Sequence, residues 1–202
     1  MEPFFSKRNK VFLRGGIVVK RFSDPESAET ESELLRGYYL AGVPVPQVYE
    51  RQNNEIWMEY IPGDTIPDFL LRMEKKLDCA LLEKAAQELC RWFELFYEAV
   101  DHTRSGEIRG DVNGRNFIIA SNLVVSVDFE ERAFGSAEQD IGRLLAFICT
   151  YKLSETSVKR RFSRVFARVA VERLSLSTQE TLKEFRLELS AMKKRRGIKN
   201  WL

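Results

Sequence analysis

The chain has a single histidine, His102, among 202 residues. That excludes His-rich metal sites and any Ser-His catalysis that needs a second histidine. Cysteine is scarce too. Cys79, Cys90 and Cys149 form no Cys-x-x-Cys pair and fall in apolar stretches with helical spacing. This predicts reduced thiols in a cytoplasmic protein and excludes a disulfide or zinc framework. Neither sign of charge is in excess: Lys+Arg 32 against Asp+Glu 30 gives a formal net charge of +2, so no strong overall field selects partners. No apolar run is long enough to span a membrane, no signal peptide is expected, and no internal repeat is found. A chain of this length can bury one good core, or two small lobes that share a cleft.

What is present is concentrated in Arg109-Gly110-Asp111-Val112-Asn113-Gly114-Arg115-Asn116, followed by Asp128-Phe129-Glu130. Gly110 and Gly114 make the first segment too loose for a helix interior. Phe117-Ile118-Ile119, a polar turn at 120–122 and Leu123-Val124-Val125-Ser126-Val127 then read as a tight β-hairpin. Asn116 enters its first strand and Asp128 leaves its second, so an antiparallel pairing sets them side by side, next to Asp111. Hard oxygen ligands of this kind suit Mg²⁺, which takes one or two protein oxygens and completes its shell with phosphate and water. Asp111 is left as a carboxylate able to take a proton.

Asp-x-x-x-x-Asn, a short hairpin and Asp-Phe resemble the catalytic and metal loops of the protein-kinase-like superfamily. Asp-x-x-x-x-Asn alone occurs by chance; the three parts in order are far more specific. Gly110-Asp111, where typical protein kinases have Arg-Asp, points to the atypical branch: aminoglycoside and choline phosphotransferases, RIO kinases and the small kinase of the KEOPS tRNA-modification complex. The resemblance implies an α+β, two-lobed protein-kinase-like fold, with a small antiparallel-sheet N-lobe over 1–60 and a compact helical C-lobe over 61–202. It implies ATP and Mg²⁺ as cofactors. Asp111 would be the catalytic base, and Asn116 and Asp128 the metal ligands. Lys20, near the end of the strand at 16–22, would hold the phosphates; without the family it reads as an edge-strand lysine facing solvent. A helix follows, capped by Asp24 with Pro25 at its first position, and runs to about Ala41. It carries Glu29, Glu31 and Glu33. Glu31 matches the family's partner of Lys20 by its distance from Gly42-Val43-Pro44-Val45-Pro46, and Glu33 is the runner-up. The strand at 55–61 resembles the hinge between lobes. There the carbonyl of Glu59 and the N–H of Ile61 would meet adenine, with Met58 behind; otherwise Met58 and Tyr60 read as core.

Leu77 to Val100 predicts a long helix with an apolar stripe that includes Trp92, Phe93 and Phe96. A second helix is expected from Asp140 to about Tyr151, preceded by a capping-box spacing at 136–139. By resemblance, Asp140 would hydrogen-bond the backbone of the catalytic loop. Three departures stand out. Ser6-Lys7-Arg8-Asn9-Lys10 replaces a glycine-rich phosphate loop, Arg109 stands where relatives have histidine, and Glu130 stands where typical kinases have glycine. The region 152–202 offers two helices at most and ends in Lys193-Lys194-Arg195-Arg196. That basic tail either contacts RNA phosphates or a protein partner, or is a solvated helix end. The implied function is phosphoryl transfer from ATP to a hydroxyl of a protein or other macromolecule. The alternatives are a small-molecule phosphotransferase of aminoglycoside or choline type and a pseudokinase that binds nucleotide or acts as a scaffold.

Overall fold

The computed structural model describes residues 2–4, 9–121, 123–130, 132–151 and 156–196, with an α+β fold. The first part builds an antiparallel sheet from β1 (Glu2–Phe4), β2 (Lys10–Arg14), β3 (Ile17–Arg21), β4 (Val48–Gln52) and β5 (Glu55–Glu59), in the order β1-β2-β3-β5-β4. Between β3 and β4 lies α1 (Pro25–Leu40). β3 is an interior strand, with Lys20 opposite Ile56 and Val18 opposite Met58. Residues directly opposite share a face, so Lys20 and Met58 lie on the same side of the sheet. The solvent-facing edge lysine is therefore not what the chain forms: Lys20 is 5 % exposed.

α1 starts where Asp24 accepts a hydrogen bond from the Ser27 N–H at 2.8 Å, with Pro25 in the first turn. Its buried residues are Ala28, Glu31, Ser32, Leu34, Leu35 and Tyr38, the spacing of one helical face. Glu31 is thus a carboxylate on the core-facing side, a position that costs stability unless a cation meets it.

Next come β6 (Asp64–Thr65), α2 (Ile66–Lys75), α3 (Cys79–Ala99), α4 (His102–Ser105) and β7 (Glu107–Ile108). Sequence reasoning did not anticipate α2, although Thr65 caps it and Pro67 sits in its first turn. Its apolar face is only Ile66, Phe69, Leu70 and Met73, too short a stretch for periodicity to stand out. α3 carries the expected stripe, and Trp92 stacks on Phe96 with ring centroids 5.2 Å apart. The carbonyl of Pro44 accepts from Trp92 Nε1 at 2.9 Å and from the Ser126 N–H at 3.1 Å, which fastens the segment after α1 to both.

A 3₁₀ turn (Gly114–Asn116) leads into the hairpin of β8 (Phe117–Ile119) and β9 (Val124–Ser126), and β6 pairs with β8. Beyond it lie β10 (Ala133–Phe134), α5 (Ala137–Thr150), α6 (Ser157–Arg173) and α7 (Thr178–Arg196). α5 begins at Ala137 and not at Asp140, because the capping residue Gln139 is itself the third residue of the helix. One continuous core runs from Phe22 to Ala170. Among the described residues no helix is long and apolar enough to cross a membrane.

Candidate active site

Helix α1 and the segment beyond β9 converge on Lys20 of β3. Its Nζ lies 2.6 Å from Glu31 Oε2 on α1, donates to Asp128 Oδ1 beyond β9, and lies 3.9 Å from Glu130 Oε1. Glu31 is the glutamate of α1 that reaches it; Glu29 instead pairs with Arg51 at 3.2 Å. Burial lowers the Lys20 pKa, but the charges of Glu31 and Asp128 outweigh it, and the ammonium is held above its ordinary value. Burial pushes Glu31 up against the pull of Lys20; at 2.6 Å we read the pair as ionised. Glu130 also accepts from Asn9 Nδ2 at 2.9 Å, and so connects the metal-loop segment to the residue just before β2. Ser6, Lys7 and Arg8 of the expected phosphate segment lie outside the described residues.

The loop before β8 is built around Asp140. This fully buried carboxylate accepts from the Arg109 N–H at 2.7 Å, the Gly110 N–H at 2.9 Å and Tyr97 Oη at 3.0 Å. Burial raises its pKa and those donors oppose the rise. Gly110 follows with φ +73°, and a Cβ there would run into the Ala133 methyl. Only glycine meets both demands. The turn delivers Asp111 to an exposed position, where Oδ2 accepts from Asn116 Nδ2 at 3.0 Å and Oδ1 from the Asn113 N–H at 3.3 Å. Asn116 is buried; its amide nitrogen is committed to Asp111, so its oxygen is the atom it can offer a cation.

At the other end of the hairpin the Val127 N–H bonds the Asn116 carbonyl at 2.8 Å, which brings Asp128 beside Asn116 as the register requires. Asp128 has φ +70°, a conformation that costs a non-glycine residue about 1–2 kcal/mol. Arg109 secures it. Its Nη2 donates at 2.8 Å to the carbonyls of both Val127 and Asp128, Nε donates to Ser126 Oγ at 3.2 Å, and the guanidinium lies 4.0 Å from the Phe129 ring centroid. Burial lowers the pKa of Arg109 while Asp111, Asp140 and Asp128 oppose it. Arg109 thus braces the turn at Asp128, a role with no local sequence signal.

Met58 is buried in the core cluster, whereas Tyr60 is 39 % exposed and not the core residue its apolar strand suggested. Glu59 ends β5; its N–H donates to the Gln47 carbonyl at 2.9 Å and its carboxylate accepts from the Gln47 N–H at 3.2 Å. Ile61 follows β5 outside any regular element.

Glu31, Asp128 and Glu130 each place a carboxylate oxygen within 4.8 Å of the others. Three carboxylates against one ammonium make a cluster that attracts cations, and hard oxygens select Mg²⁺-like ions over soft metals. The donor chemistry therefore fits a divalent cation, with Lys20 beside it. A small cavity lined by Leu81, Ala85, Ile119 and Leu123, among others, contains none of these residues. No protein-family model matches this chain, and no curated protein matches it.

Proposed function

We propose that this chain is a kinase-like phosphotransferase of the atypical branch, two-lobed, with residues 1–60 as the smaller lobe and 61–202 as the larger. The observation that carries the reading is Lys20 joined to Glu31 and Asp128, three residues from separate elements that share one charge cluster. Bound ATP and Mg²⁺ would supply the phosphoryl group and neutralise part of the charge that develops on it. Lys20, steadied by Glu31, would hold the phosphates. Asn116 and Asp128 would hold the metal, while Met58, the Glu59 carbonyl and the Ile61 N–H would receive the adenine. Asp111, exposed and oriented by Asn116, would align the acceptor hydroxyl and take its proton. Catalysis would come from positioning and preorganised charge.

We take the acceptor to be a protein or other macromolecule; α6 and α7 pack against α3 and α5. A phosphorylation assay with purified chain, ATP, Mg²⁺ and candidate protein acceptors tests this against aminoglycosides and choline. One observation favours a second reading, a pseudokinase that binds or scaffolds: Ser6-Lys7-Arg8-Asn9-Lys10 stands in place of a glycine-rich phosphate loop. Single-turnover transfer to any acceptor would exclude it.

The basic tail carries a separate expectation. Lys193 to Arg195 lie in the last turns of α7, Arg195 pairs with Glu188, and residues beyond 196 lie outside the described part. Met192, just before them, is 7 % exposed and in contact with Thr150 Oγ1 at 3.3 Å. The tail is therefore not a purely polar terminus, and truncation before Met192 would damage packing. Replacement of Lys193 and Lys194 by Gln keeps the helix. If the tail meets RNA, we expect the variant to bind more weakly at low salt, with the slope of log K against log salt reduced by roughly 1–2. Filter binding at two salt concentrations checks this, and an unchanged slope would leave these residues complementing the helix dipole.

A further inference from the structure

The proposed site depends on α1, because α1 alone brings Glu31 to Lys20. A second polar contact on the same buried face fixes that helix. Tyr38 lies seven residues after Glu31, two turns along, so both side chains share a face. Tyr38 Oη donates to Glu107 Oε1 at 2.6 Å. Both residues are buried, at 7 % and 5 % exposure. Glu107 stands on β7, three residues before Gly110. Its other oxygen lies 3.6 Å from Arg132 Nη1, in the segment that follows Asp128-Phe129-Glu130. β10, which begins at Ala133, pairs with β7 next to this contact. The Tyr38 ring also packs on Phe129 at 5.0 Å and on Phe96 at 5.3 Å.

One carboxylate therefore touches the helix that carries Glu31, the strand that leads into Asp111, and the segment leaving Asp128. We propose that Glu107 and Tyr38 are positioning residues, a buried clamp that holds α1 against the catalytic strand so that Glu31 stays on Lys20. The inference rests on the nucleotide-binding reading for its consequence, though not for its geometry. A buried carboxylate is expensive unless matched, and here Tyr38 donates to one oxygen while the Arg132 cation lies 3.6 Å from the other. The clamp also explains why an apolar helix face ends in a tyrosine: phenylalanine would fill the same space between Phe96 and Phe129 but leave the carboxylate short of a donor.

The test is Tyr38→Phe, with Asp78→Ala as a control. Asp78 caps α3 through the Leu81 N–H at 3.0 Å and touches none of the clamp or site residues. Both variants should lose stability modestly. Only Tyr38→Phe should weaken Mg·ATP binding, by about tenfold, the order expected when one buried hydrogen bond to a charged group is removed. It should also raise amide hydrogen exchange in residues 33–40 beyond that of the control. Unchanged exchange in α1 overturns the clamp, whatever the nucleotide result. If α1 loosens while affinity for Mg·ATP stays at the wild-type value, the clamp is structural only and its role in placing Lys20 is wrong. If the wild-type chain binds no Mg·ATP, the nucleotide reading fails, and the exchange measurement alone still decides the clamp.

Discussion

Replacement of Asp111 by Asn is expected to lower phosphoryl transfer by about 10³-fold and to leave Mg·ATP affinity within a few-fold of wild type. General-base contributions run from about 10² to 10⁴, and the substitution removes the proton acceptor while keeping size and shape. Asn keeps one oxygen, which can still accept from Asn116 Nδ2, while the weaker contact from the Asn113 N–H at 3.3 Å is given up. The side chain is exposed, so the fold should survive. Asp111 is not among the partners of Lys20, and its one contact with a proposed metal ligand, Asn116, needs only the oxygen that Asn retains. Turnover and affinity should therefore separate, which single-turnover assays and calorimetry on the same preparation can show. Wild-type turnover in Asp111→Asn would remove Asp111 from the mechanism.

Lys20→Met should cost both stability and binding. Methionine leaves Glu31, 1 % exposed, without the cation that matches it, while Asp128, 39 % exposed by side chain, remains solvated. Breaking a buried pair in this way costs about 3–5 kcal/mol. The loss should depend on pH. Burial already raises the folded pKa of Glu31 above its unfolded value of 4.5, and without the ammonium nothing opposes that rise. A group raised on folding contributes stability below its unfolded pKa and loses it as pH climbs through the folded pKa. The variant should thus lie closest to wild type at acidic pH, near the unfolded value of 4.5, and fall away at alkaline pH. Denaturant titrations at acidic and alkaline pH check this; a small loss independent of pH would mean that Glu31 is not held by Lys20. Mg·ATP affinity should fall in the same variant, since the phosphates lose their ammonium.

The parts of the site that local chemistry dictates were legible in the sequence. Asp24-Pro25 announces a helix start, and the hairpin between Asn116 and Asp128 follows from β-branched runs around a polar turn. The period of two along β3 and β5 sets Lys20 and Met58 on one face once the register is known. What could not be read depends on contacts between distant segments. The identity of Arg109 gave no hint that it would brace Asp128, because Val127 and Asp128 lie 18 and 19 positions away. Glu107 reads as an ordinary charged residue before a glycine-rich loop; only the approach of Tyr38, 69 positions earlier, makes it a buried acceptor. Glu130 likewise sits 3.9 Å from Lys20 and accepts from Asn9, 121 positions earlier.

The central claim is that the Lys20, Asn116 and Asp128 cluster binds a nucleotide through a divalent metal. Isothermal calorimetry of the full chain with ATP, with and without Mg²⁺, tests it most directly. Typical affinities for such ligands fall between about 1 μM and 1 mM. The expected result is saturable one-to-one binding in that range with Mg²⁺, weakened at least tenfold when Mg²⁺ is removed and lost in Asp128→Ala. No heat of binding at about 1 mM ATP in either condition, or equal binding with and without Mg²⁺, would contradict it.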